Sequence, residues 1–260
     1  MVAYVNGLYQ GWIEQTSRSV RRREVPSGFI PLILNFGSAF RMIDPGNPAG
    51  PGQSRRSFVA GLHESFALVE STGSSICIQV NISPLAAHLV LGVPMDSLAN
   101  RVVELDDVLG ATSRRLVEQL GNASSWEARF DILDSFLAER LLKARPISAG
   151  IIWAWQTLNE SVGQVPIGTL AERLGCSHKH LIALFHAQVG LPPKMLARVL
   201  RFQGVIEQLK ADDGRRWVEI AHDCGYYDQA HLIRDFRSFA GSTPTEFLGR
   251  QLPDGGVSGD

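Results

Sequence analysis

A chain of 260 residues with 45% hydrophobic and 20% charged side chains has the composition of a folded globular protein. It is long enough for two ordinary domains, each with its own core. The longest apolar stretch, Leu85 to Pro94, is interrupted by His88 and Gly92 and falls far short of the ~20 residues that span a bilayer. The formal net charge of −1 gives no overall pull toward nucleic acid, and three scattered cysteines (Cys77, Cys176, Cys224) form neither a disulfide framework nor a zinc knuckle, so they read as reduced and buried.

At the N-terminus, Asn6, Gln10, Glu14 and Gln15 stand where a secretion signal needs a continuous apolar core, and the basic run Arg21–Arg23 follows rather than precedes them. A cytoplasmic protein is expected. The first third then alternates as strands do, at Ile30–Phe36, Ser65–Glu70 and Ser75–Ile82, with β-branched and aromatic residues. The run Asp44–Gly52, with its prolines and glycines, can continue no regular element, and Ser71–Ser75 predicts a hairpin connection.

From Pro84 the period becomes helical: Pro84–Leu91, then Met95–Leu109 with Leu98, Val102, Leu105 and Leu109, then Trp126–Lys143 with Phe130, Leu133, Phe136, Leu137 and Leu141 on one face. The stretch Lys143–Gly150 reads as a linker, everything after it as helix, and the tail 251–260 as disordered. Three parts follow: residues 1–145, residues 146–250 and the tail.

The C-terminal third repeats at an offset of about fifty positions. Leu170, Ala171, Leu174 and Gly175 match Ile220, Ala221, Cys224 and Gly225; after one inserted residue, Leu181, Phe185, Gly190 and Pro193 match Leu232, Phe236, Gly241 and Pro244. An alanine lets one helix approach the next, and a glycine four residues on supplies a left-handed turn between them. That is a helix-turn-helix, with Leu170, Leu174, Leu181 and Leu184 as the core of the first and the outer face of 178–188 free to enter a major groove. The helix Pro193–Lys210 between the units would be roughly 27 Å long, a rod able to set two recognition helices about one duplex turn, ~34 Å, apart. Charge agrees locally: between Glu172 and Arg201, Glu172 is the only acid against Arg173, Lys179, Lys194, Arg198 and Arg201.

The pattern Gly225-x10-Phe236-Arg237-x3-Gly241-x-Thr243-Pro244, with Ser177-x3-Leu181-x3-Phe185 and Arg201 before it, resembles the signature of the AraC/XylS family of transcription regulators over about residues 151–250. The resemblance implies a double helix-turn-helix that binds double-stranded promoter or operator DNA. It also implies activation rather than repression, with RNA polymerase and a second copy of the chain as further partners. Base contacts carried over from it fall on Lys179, Ile182 and Ala183, with His178 and His180 nearby, and on Gln229, Ala230, His231 and Arg234. Arg234 suits guanine and Gln229 adenine, whereas Ile182 and Ala183 offer only apolar contact to a thymine methyl. Phosphate contacts suit Ser177, Lys194, Arg201, Arg215, Arg216 and Arg237, against which Asp223, Asp228 and Asp235 count.

Plainer readings stand beside these. Arg198 and Lys210 read as solvated charges, Arg201 and Arg237 either reach phosphate or hold the units together, His222 reads as structural, and Asp228 as a helix N-cap. Phe185, Phe236, Phe239 and Phe247 read as core. In such regulators the other domain is often a small cupin-like β-barrel for an effector or a dimer, which the strands from Ile30 to Ile82 and the helices after them suit. The fold expected is therefore α+β: a small antiparallel β-barrel or sheet with helices, then an all-α double helix-turn-helix. With only His63 and His88 in the barrel region, no metal or cofactor is implied; Phe29–Phe40 and Phe58–Phe66 line either a pocket or a core. The competing reading is a small-molecule-binding or enzymatic barrel with an appended helical interaction module. No nucleophile elbow or phosphate loop supports an enzyme.

Overall fold

The stretch Ala67–Ile82 forms one long strand, β6, because its backbone finds partners along both edges. The structure, a computed structural model, describes residues 9–211, 215–252 and 257–259. On one edge of β6 runs β1 (Gln10–Glu24), antiparallel from Gln10 opposite Gln79 to Glu24 opposite Ala67, with a register shift between Thr16 and Val20. On the other edge lie β2 (Ile30–Asn35) against residues 77–82 and β3 (Phe40–Ile43) against residues 68–70. Strands β4 (Gln53–Arg55), β5 (Phe58–Ala60) and β7 (Val102–Glu104) complete a nearly closed antiparallel barrel in the order β4-β3-β6-β2-β5-β7, with β1 on the free side of β6. This is the expected fold class.

The hairpin expected at Ser71–Ser75 does not form. Those turn-prone residues stay extended because β1 holds one edge while the Phe36 and Ser38 amides donate to the carbonyls of Ile76 and Ser74 on the other. Gly73, at φ +79°, takes up the kink. Glu70 fastens the layers: burial alone would raise its carboxyl, but hydrogen bonds from Ser19, Arg41 and Arg21 hold it below the usual carboxylate range. Cys77 is buried, and burial followed by Glu14 pushes its thiol up to about 12; burial likewise pushes Cys224 up to about 11, whereas Cys176, expected buried, is only half so.

Helix α1 (Pro84–Leu91) begins as expected, with Pro84 in the first turn and the Ser83 hydroxyl accepting from the Ala86 amide. The single helix expected over Met95–Leu109 is instead a 3-10 turn (Met95–Ser97), strand β7 and a short α2 (Leu105–Leu109). Asn100, at φ +57°, breaks the helix, and residues 102–104 find β5 as a partner. Helices α3 (Ala111–Asn122) and α4 (Trp126–Lys143) cover the barrel flank. After residues 144–148 come α5 (Ala149–Glu160), α6 (Ile167–Arg173), α7 (His178–Val189), α8 (Pro193–Ala211), α9 (Trp217–Asp223), α10 (Gln229–Ala240) and α11 (Pro244–Leu248). One hydrophobic core runs from β2 and α1 through α4 to α11.

Where the tail, expected to be disordered, is described, it lies along β1. The Arg23 amide donates to the Val257 carbonyl at 2.8 Å, Gly259 donates to Arg21 at 3.0 Å, and Val257 is buried. The outer edge of β1 carries unpaired peptide groups, and the tail supplies partners for them. Residues 253–256 and 260 of that expectation lie outside the described ones.

Candidate nucleic-acid interface and barrel cavity

Each helix-turn-helix is built from the same local devices. In the first unit α6 ends at Leu174, Gly175 turns at φ +61°, the Cys176 amide donates to the Ala171 carbonyl at 3.1 Å, and the Ser177 hydroxyl accepts from the His180 amide at 3.2 Å to start α7. In the second unit α9 ends at Cys224, Gly225 turns at φ +72°, the Tyr226 amide donates to the Ala221 carbonyl at 2.8 Å, and the Asp228 carboxylate accepts from the His231 amide at 2.7 Å to start α10. A side chain at either glycine would be strained in that left-handed backbone. Thr243 and Glu246 cap α11 reciprocally.

The linker helix α8 joins the units through its inner face. Phe202 is fully buried with Phe236 at 5.0 Å and Phe239 at 5.1 Å between ring centroids, and Phe236 meets Phe247 at 5.4 Å. Phe185 is also fully buried, so all four phenylalanines expected in the core lie there. Arg198, expected to be a solvated charge, instead grips buried Asp235 at 2.7 Å and lies over the Phe239 ring; that hydrogen bond raises its guanidinium further. Asp235 is therefore turned into the protein and away from the outer face of α10.

The residues expected to read bases lie as follows. His178, Lys179, His180, Ile182 and Ala183 are exposed on α7, and Gln229, Ala230 and Arg234 on α10. His231 is half-buried, edge-on to Tyr226 at 5.1 Å. Of the residues expected at phosphates, Ser177, Lys194, Arg216 and Arg237 are exposed. Arg215 pairs with Asp223 at 3.2 Å and Arg216 with Glu219 at 2.6 Å, surface pairs that cost little to open. Arg201 stacks on Tyr226 at 5.6 Å, which favours the bracing role over the phosphate one. His222, read as structural, has a side chain 92% exposed, with Asp223 at 3.7 Å. Tyr227, beside the start of α10, was missed: at 93% exposure it is the most exposed large apolar side chain of the described residues.

Among the described residues the barrel half grips the helical half at several places. The Gly28 amide donates to the Gln203 side chain on α8 at 3.0 Å, and α7 packs on α1 and on the 3-10 turn Met95–Ser97. Arg23 on β1 donates to the Ala240 carbonyl at the C-terminus of α10 at 2.5 Å and lies 4.3 Å from the Phe66 ring, a cation where the helix dipole is negative. Gly241 has no room for a side chain, since a Cβ there would meet Phe66 at 2.3 Å.

Inside the barrel is a cavity of about 880 Å³. Ile33, Phe40, Phe58 and Met42 give it an apolar floor, so of the aromatic runs Phe29, Phe40 and Phe58 line a pocket, while Phe36 packs on the main core and Phe66 lies outside the cavity. Its polar side holds Arg22, 2.6 Å from Glu14 and donating to the Ser71 hydroxyl at 3.0 Å, and His63, whose imidazole burial holds below the usual range. Lys210, at the end of the linker helix, also lines it. Among the described residues no group of three or more His, Cys, Asp or Glu side chains converges, and no helix is long and apolar enough to cross a membrane.

A family model described as "Helix-turn-helix domain" matches residues 170–250, the two units just described. The C-terminal third is an AraC-type helix-turn-helix domain. The AraC-type domain follows a region, residues 3–104, that matches a model described as "Domain of unknown function (DUF6597)". No curated protein matches the sequence. Among solved structures, ToxT from Vibrio cholerae in one crystal form aligns over 93% of this chain and 98% of its own at 11% identity and a TM-score of 0.50. ToxT from strain O395 aligns over 96% and 98% at 13% identity and 0.50, and ToxT bound to (E)-4-(8-methylnaphthalen-1-yl)but-3-enoic acid over 93% and 98% at 14% and 0.50. At such identities the likeness is one of fold: a barrel followed by an AraC-type domain.

Proposed function

We propose that this chain is a sequence-specific DNA-binding transcription regulator, with residues 146–250 reading DNA and residues 1–145 binding an effector. One observation carries the reading: two successive helix-turn-helix units, each with a capped second helix whose outer side chains are exposed, share one linker helix. A second helix of this kind fits a major groove, where each base pair shows a distinct set of donors and acceptors. Selection of bound fragments from random duplex DNA tests it; equal binding to all sequences across salt concentrations would refute it. A single recovered motif identifies a monomer on adjacent half-sites, a paired motif a dimer. The family resemblance favours activation, with RNA polymerase as the partner on the promoter.

Arg234→Ala should cost about 1–3 kcal/mol of binding and relax one base position, because a bidentate guanidinium contact reads sequence. Arg237→Ala should weaken all duplexes alike and lower the salt slope by about one, the behaviour of a phosphate contact. Titration of both variants on selected and random fragments separates them, and identical profiles would contradict the assignment.

The cavity suits an amphipathic acid, with an apolar body on Ile33, Phe40 and Phe58 and a carboxylate toward Lys210. The ligand named for ToxT, an aryl butenoic acid, has that form. An acid of this class at a hundred times its Kd should stabilise the protein by about 2.7 kcal/mol, and Lys210→Glu should weaken it about tenfold. Thermal melts with a panel of aromatic and aliphatic acids check this; no shift with any of them refutes the effector class.

A further inference from the structure

We infer that Tyr227 is a DNA-backbone contact of the second unit, its phenol donating to a phosphate oxygen beside the groove that α10 enters. The inference rests on the DNA-binding reading above and adds a residue to it.

Superposing the two turns by their hydrogen bonds locates the residue that the second unit has and the first lacks. The amide after the turn glycine donates to the alanine carbonyl in both, from Cys176 to Ala171 and from Tyr226 to Ala221, so Tyr226 does the work of Cys176. In the first unit the N-cap Ser177 follows at once; in the second, Tyr227 stands between Tyr226 and the N-cap Asp228. The first unit makes the same turn without any such residue, so the fold does not require one here.

The side chain placed there is an aromatic ring, 93% exposed, next to a tyrosine that is 4% exposed. Tyr226 is held by Arg201 and His231, whereas the Tyr227 side chain makes no ring contact or hydrogen bond among the described residues. Removing it should leave stability unchanged, as for surface positions outside any network. A recognition helix meets base edges with its N-terminal residues. The residue one position before the N-cap then stands at the groove wall, which is sugar and phosphate. Tyrosine is among the side chains that bond phosphate there, and its ring can cover the adjoining sugar. The Asp228 carboxylate beside it keeps its charge while capping α10, and the positive end of the helix dipole offsets part of that charge.

The test is titration of the full chain on its selected operator and on random duplex at several salt concentrations, with melting in parallel. Tyr227→Ala should bind both duplexes about tenfold more weakly, and Tyr227→Phe about threefold, the loss expected for a hydrogen bond to a charged group made at a solvated rim. Because tyrosine is neutral, the salt slope should match that of the unmodified protein, unlike Arg237→Ala. Unchanged affinity in both variants overturns the proposal, as does an altered base preference, which would make Tyr227 a reader of sequence, or a lowered melting temperature, which would make it part of the fold. If the unmodified chain prefers no fragment, the DNA-binding reading itself has failed, a result visible before either variant is compared.

Discussion

Phe202→Ala should destabilise the protein by about 3–5 kcal/mol, the cost of emptying a fully packed phenylalanine site. The ring is fully buried on α8, wedged against Phe236 and Phe239 of α10, and Phe236 in turn supports Phe247 of α11. None of these neighbours can swing into the void without leaving its own contacts, so little of the cavity should close. Urea denaturation would show the loss as a lower midpoint, and Phe202→Leu, which keeps most of the volume, should lose less than half as much. The damage should fall mainly on the second unit, because the Phe202 ring meets Phe236 and Phe239 of α10, whereas α7 packs chiefly on α1 and the 3-10 turn and less on α8. A loss below about 1 kcal/mol would mean that the ring cluster is not what holds α10 to the linker helix.

Arg198→Met should cost about 3 kcal/mol, more than the reciprocal Asp235→Leu. Breaking a buried pair is expensive chiefly through the charge left behind, and the two partners differ in how much water reaches them. The Asp235 side chain is 8% exposed and the Arg198 side chain 28%. A stranded carboxylate therefore has no solvent to turn to, while a stranded guanidinium keeps some, and Asp235→Leu should cost about 1 kcal/mol. The double variant, with two apolar groups facing each other, should recover most of the stability. A full double-mutant cycle by chemical denaturation measures this; additive losses in the double variant would show that the two groups do not depend on each other.

The helical half was legible in the sequence because its determinants are local. The Ala-x3-Gly spacing, the capping residues Ser177 and Asp228 and the prolines at helix starts each act within a few residues, and the repeat states them twice. The barrel was legible only in outline. Strand β1 places Glu14 and Arg22 on the cavity wall beside Trp12 and leaves Ile13 65% exposed, so it lacks a clean apolar-in pattern, because it borders a cavity and not a packed core. The apolar residues of 98–109 fit a helical period while belonging to a turn, a strand and a short helix. Arg198 and Asp235 lie thirty-seven residues apart and were read separately, one as solvent-facing and the other as an obstacle to DNA; only the packing of α8 on α10 shows that each explains the other. Tyr227 was visible as an inserted position in the repeat, but which of two adjacent tyrosines was the extra one depends on the backbone hydrogen bonds.

Strand alternation gives β1 a double duty. Of two consecutive arginines, Arg22 reaches inward to Glu14 and Ser71, and Arg23 reaches outward to the last carbonyl of α10. A single step along the strand thus passes from the wall of the cavity to the contact that ties the barrel to the C-terminus of α10.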